Sequence, residues 1–188
     1  MKVRVSTIVS KVFALLDENE TIAEELTEYC DPDLMLRPLI ADLLPDAARA
    51  VILEAPVSAL DDCRHLENLA LNEEGASELT LPSDFLKLVY VRMSDWTHGI
   101  SVPMKCDGEE HMLHRNPTMR RRSRPAAAVR RRGDICTLEI YGSSPGAVVA
   151  SLDYAAAPQG GGAFIDLPPS LIPDICQRIA SMIKDIMR

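Results

Sequence analysis

The sequence predicts an α+β protein in which N-terminal and C-terminal helices pack as a bundle around a central antiparallel β-rich insertion. Three observations carry this. Apolar residues recur with a helical period at both ends of the chain. In the middle they alternate, or run in short blocks between Gly, Pro and Asp signals. A content of 47% apolar but only 4% aromatic residues implies an aliphatic core rather than a disordered chain.

Val5, Ile8, Val9, Val12, Phe13 and Leu16 fall on one helical stripe. Thr21 to Tyr29 follows as a short helix, with Thr21 as cap and Glu24 as its capping-box partner. Leu36, Ile40, Leu43, Ala47, Val51 and Ala55 continue a helical stripe across Pro45, where the proline ring is expected to kink the helix or open a new one. Pro38 fits a first-turn position, and Pro56 ends the stripe. After residue 72 the texture becomes that of strands: Glu78 to Leu81, Leu86 to Met93 and Ile100 to Lys105. Leu86 to Met93 is apolar on both faces, as in a central strand covered on both sides. Cys136, Leu138 and Ile140 alternate with polar residues, as do Val148, Ala150, Leu152 and Tyr154. The turn residues 142–146 between these runs predict a hairpin. Gly160, Gly161 and Gly162 read as a flexible break. Ile172, Ile175, Cys176, Ile179, Ala180, Ile183 and Met187 then mark a C-terminal amphipathic helix. The expected organisation is one domain spanning 1–188. It has a helical part to residue 65, a β-rich insertion at 66–158 and a linker with the last helix at 159–188.

Charge is distributed unevenly. Residues 1–114 hold nine Lys and Arg against 22 Asp and Glu, residues 133–188 hold three against six, and residues 115–132 hold eight arginines and no acid. Those arginines, Arg115, Arg120, Arg121, Arg122, Arg124, Arg130, Arg131 and Arg132, are the candidate contact residues. The planar guanidinium fork suits carboxylate and phosphate alike. An acidic protein surface, a nucleic-acid backbone met without sequence readout, and plain solvation of a loop are the three readings. Pro117 and Pro125 bracket a loop, whereas Ala126 to Arg132 reads as a strand turning at Gly133. In that strand Arg130 and Arg132 share one face and Arg131 takes the other. The Arg132-Gly133-Asp134 tripeptide reads as a turn after this strand.

Other chemistry is sparse. Cys106, Glu109, Glu110, His111 and His114 fall close together, but zinc sites use paired ligand spacings that have no second half here, so a polar surface loop is expected and no metal or other cofactor. Five cysteines, Cys30, Cys63, Cys106, Cys136 and Cys176, without a CxxC pair point to reduced thiols. The N-terminal apolar stretch is interrupted by Ser6, Thr7, Ser10 and Lys11 and reads as a helix rather than a signal peptide. No run suits a membrane span. The HExxH, P-loop and GxGxxG frames do not occur, the GxSxG spelling at Gly142 to Gly146 falls in the turn between two strands rather than at a strand-to-helix elbow, and a non-enzymatic protein is expected.

Several short stretches resemble tailed-bacteriophage head-to-tail adaptor (connector) proteins. They are Leu81 to Leu88 leading a strand, Trp96 after it, Leu138 to Tyr141, Leu152 to Pro158, and Leu167-Pro168 opening the last helix. The resemblance spans residues 36–188. It implies a virion structural protein that forms a ring between portal and tail. Its partners would be the portal and tail proteins, neighbouring copies of itself, and genomic DNA passing through the channel. The implied location is the bacterial host cytoplasm and then the virion. The arginine run has no counterpart in the family pattern, and a nucleic-acid-binding protein using the same arginines is the alternative.

Overall fold

A computed structural model describes residues 1–17, 32–72, 78–116 and 124–187. The expected Thr21–Tyr29 helix, and Arg120, Arg121 and Arg122, lie outside the described residues. The protein is α+β, with helices toward both ends of the chain and antiparallel sheets between them. It divides into two compact units, Met1–Asp62 with Ala157–Arg188, and Cys63–Ala156.

In the first unit, helix α1 (Val5–Asp17) buries Ile8, Val9, Val12 and Leu16 of the stripe read from sequence, while Val5 and Phe13 are half-buried. Helix α2 (Pro32–Glu54) buries Leu36, Ile40, Leu44, Ala47, Ala48, Val51 and Ile52. It runs through Pro38 and Pro45 as one helix, so no new helix opens at Pro45 and Pro38 does not sit in a first turn. Pro45 cannot bond to the carbonyl of Ala41, but both residues are exposed, so water can satisfy the freed oxygen while the buried stripe holds the helix together. The last helix (Ile172–Ile186) is α4 in chain order. It buries Ile172, Ile175, Cys176, Ile179, Ala180 and Ile183, and α1 and α2 pack against it. Ile175, Ile179 and Ile183 are fully buried, each contributing about 1.5–3 kcal/mol. Strand β1 (Lys2–Arg4) pairs with β9 (Phe164–Asp166), which also pairs with β8 (Gly160–Gly161). The glycine break is therefore a small hairpin. A Cβ on Gly160 would come within 2.9 Å of the Phe164 carbonyl oxygen, so glycine permits the close approach.

The second unit is two three-stranded antiparallel sheets around one buried cluster. One has the order β2 (Arg64–Leu69), β7 (Val149–Ala156), β4 (Phe85–Met93); the other has the order β3 (Glu78–Thr80), β6 (Ile135–Tyr141), β5 (Ala126–Arg132). Phe85, Leu88, Val91, Met93, Val149, Leu152 and Tyr154 from the first sheet meet Leu79, Ala127, Cys136, Leu138 and Ile140 from the second. Two sequence expectations change here. Strand β4 is not central. It lies at its sheet's edge, touched beyond by the isolated Val91–Ile100 bridge, and register shifts along it explain why its apolar residues do not alternate. Strands β6 and β7 do not form a hairpin, because they belong to different sheets and residues 142–148 cross between them. Gly142 makes that crossing possible. Its φ is 77°, and a Cβ there would lie 2.5 Å from the Arg124 carbonyl oxygen. Its own carbonyl accepts the Trp96 indole N–H at 3.2 Å. Residues 100–105 form no strand, only isolated bridges at Ile100 and Met104.

Candidate interface on the arginine hairpin

Strands β5 and β6 pair from Ala126–Tyr141 to Arg132–Ile135 and turn through Gly133 and Asp134, with Gly133 left-handed at φ 58°. The RGD tripeptide is this turn. Alternation gives the hairpin an inner face of Ala127, Val129, Arg131, Cys136, Leu138 and Ile140. Its outer face carries Ala126, Ala128, Arg130, Arg132, Ile135, Thr137, Glu139 and Tyr141.

The outer face is covered in part by helix α3 (Glu109–Arg115), which reverses the usual sidedness of a surface helix. His111 and His114 are buried, while Met112 and Leu113 are exposed. The reason is a polar cluster. Asp107 takes a left-handed backbone (φ 62°) and its N–H donates to His111 Nδ1 at 3.0 Å. A backbone N–H can only donate, so the ring proton is on Nε2, which donates to Glu139 Oε2 at 2.6 Å. Tyr141 donates its phenol proton to the same oxygen at 2.6 Å. Arg130 Nη2 stands 2.6 Å from Glu139 Oε1. That contact lacks the alignment of a hydrogen bond, so Arg130 holds the carboxylate by charge rather than by a directed N–H. His114 packs its ring against Tyr141 at 5.3 Å between centroids.

The electrostatics follow from this geometry. Burial alone would push the Glu139 carboxyl up, but hydrogen bonds from Tyr141 and His111 and the Arg130 charge outweigh it and hold the carboxyl below its usual range. Burial, and then the bond to Glu139, push the Tyr141 phenol well up. Burial also pushes up the Cys106 thiol, which donates to the Val129 carbonyl at 3.0 Å, and the Glu139 charge adds to the effect. The expected polar surface loop around Cys106, His111 and His114 is thus replaced by a helix whose histidines are enclosed. Among the described residues, no group of three or more His, Cys, Asp or Glu could hold a metal ion, and no helix is long and apolar enough to cross a membrane.

The arginines separate by position. Arg130 is engaged internally and Arg131 donates to Cys136 Sγ at 3.2 Å, with Nη2 3.5 Å from the Phe85 carbonyl oxygen. Arg115 at the end of α3, Arg124 before β5, and Arg131 and Arg132 beside the turn are exposed, and the exposed Ile135 pairs with Arg132. Sequence reasoning missed Glu139 and Tyr141 as parts of a site. The available signal was His111 and His114 three residues apart on a helix, with an acid on the non-core face of an alternating strand.

A second imidazole–carboxylate group lies on the other sheet. His65 is held between Asp153 and Glu67, the latter at 2.8 Å, but all three are well exposed or half-exposed. Hydrogen bonds donated to Glu67 and then to Asp153 raise the imidazole's affinity for its proton. Arg64 pairs with Asp84 at 3.1 Å, and Asp84 also accepts the Tyr154 phenol at 3.0 Å.

No protein-family model matches the chain, and no curated protein matches it.

Proposed function

We propose that the chain is a non-enzymatic structural protein of the head-to-tail adaptor class, assembling as a ring between portal and tail. In this reading the exposed arginines contact an acidic surface of a neighbouring copy or of the portal. One observation carries it. Arg115, Arg124, Arg131 and Arg132 remain exposed on a unit whose Arg130 faces the buried Glu139, in a chain with 28 acids against 20 bases. Ring closure needs two different, complementary surfaces on each copy, and opposite charge blocks on one chain meet that need while setting register and partner. The convergent polar group on the hairpin fits this role, since its carboxylate is engaged by Arg130 and Tyr141 of the sheet and by His111, which fixes α3 to it.

Replacing Arg120, Arg121 and Arg122 together with Ser tests the reading. Weakened ring assembly or portal attachment is expected, and particle assembly at the wild-type level would overturn it. Binding of the wild-type chain to DNA or RNA that weakens steeply with salt and ignores sequence would instead favour nucleic acid as the arginines' partner.

A further inference from the structure

The reversed sidedness of α3 points to an occupant for its outer face. A seven-residue helix that hides both its histidines yet leaves Met112 60% and Leu113 45% exposed is not oriented by its own core. Burying an apolar pair on the sheet would normally win, at about 1.5–3 kcal/mol for each large aliphatic side chain. Here Glu139 and Tyr141 draw the polar face inward, and the apolar pair is presented outward beside Arg115. Met112 and Arg115 are three residues apart and so neighbours on the helix surface. The face is apolar with a cationic margin.

Residues 18–31 have the opposite character. They hold six acids, Glu18, Glu20, Glu24, Glu25, Glu28 and Asp31, and no base. Ile22, Leu26 and Tyr29 follow i, i+4, i+7 spacing, which would align them on one face of a helix beside Glu25 and Glu28. We propose that residues 18–31 of a neighbouring copy dock on the Met112, Leu113 and Arg115 face of α3. The apolar stripe would meet Met112 and Leu113, and the flanking glutamates would meet Arg115. This is a helix-on-surface contact in which charge sets orientation. It rests on the reading of the chain as self-assembling and names the pair of surfaces that would make the contact head-to-tail.

Cys30 lies within the docking segment and offers a direct test. One version of the full chain carries Leu113→Cys with Cys30→Ser, and a second is unchanged at both positions. The two are mixed under mild oxidation, and disulfide-linked peptides are identified by mass spectrometry. Leu113 is exposed, so the thermal midpoint should not change. A disulfide between the introduced thiol of one version and Cys30 of the other is expected. It should fall at least fivefold when Arg115→Glu is added to the first version, and likewise in about 0.5 M salt, where charge attraction is screened over a few ångströms. No disulfide between the two versions, or one undiminished by Arg115→Glu, would overturn the proposal. Weakened portal attachment by the Arg120, Arg121 and Arg122 variant, together with a missing disulfide, removes this contact and leaves the adaptor reading standing.

Discussion

Arg130 and Arg132 stand two residues apart on the same face of one strand, and the chain uses them in opposite ways. At the root of the hairpin, the Arg130 side chain is 16% exposed and faces the buried Glu139, whose other oxygen takes bonds from His111 and Tyr141. At the tip, Arg132 is exposed opposite exposed Ile135, next to a two-residue turn. A run of like charges need not be one structural object. Where a helix covers the sheet, a guanidinium neutralises a buried carboxylate; beyond the covered zone, the same side chain is exposed to solvent.

The largest expected effect comes from breaking the root. Glu139→Ala leaves Arg130 without its counter-charge and His111 and Tyr141 without an acceptor, and should cost about 3–5 kcal/mol in chemical denaturation. Adding Arg130→Ala should cost less than the sum of the two single changes, because the two groups depend on each other. Next in size, Tyr141→Phe removes one of the donors to Glu139 and should cost about 1–3 kcal/mol.

The same cluster predicts a pH dependence. The folded-state carboxyl of Glu139 is held below its unfolded value, so its stabilisation is fully present above that value, about pH 4.3 for an unfolded glutamate. It is lost as pH falls through the lower folded value. The thermal midpoint of the wild type should therefore fall more steeply below about pH 4.5 than that of Glu139→Gln. Parallel curves would contradict the assignment. The smallest effect belongs to His65, which also bonds two carboxylates but in the open. His65→Ala should leave the thermal midpoint unchanged in physiological salt, a direct contrast with the enclosed His111.

Much of this fold was legible in the sequence where a period was long enough to read. The Val5-to-Leu16 and Ile172-to-Ile183 stripes are the buried faces of α1 and α4, and the Ala126-to-Arg132 strand turns at Gly133 as its pattern implies. What was not legible depended on neighbours. Pro45 reads as a kink or a new start because local rules cannot know that Ala41 and Pro45 both lie exposed while Leu36, Ile40, Ala47 and Val51 of the stripe are buried. The turn residues between β6 and β7 look the same whether the chain folds back on one sheet or crosses to another, and only pairing of β7 with β2 and β4 decides it. The candidate site was half legible. The arginine segment announces itself, but which arginines are free depends on Glu139, whose role arises from α3 lying across a sheet some thirty residues further along the chain, as the His111–Glu139 separation of 28 shows.

The most direct test of the divided segment sets Arg130→Ser beside Arg132→Ser, measuring thermal midpoint and ring or portal attachment on the same preparations. A crossed result is expected: Arg130→Ser lowers the midpoint, whereas Arg132→Ser keeps the wild-type midpoint and loses attachment. Equal effects of the two substitutions on both readouts would contradict it.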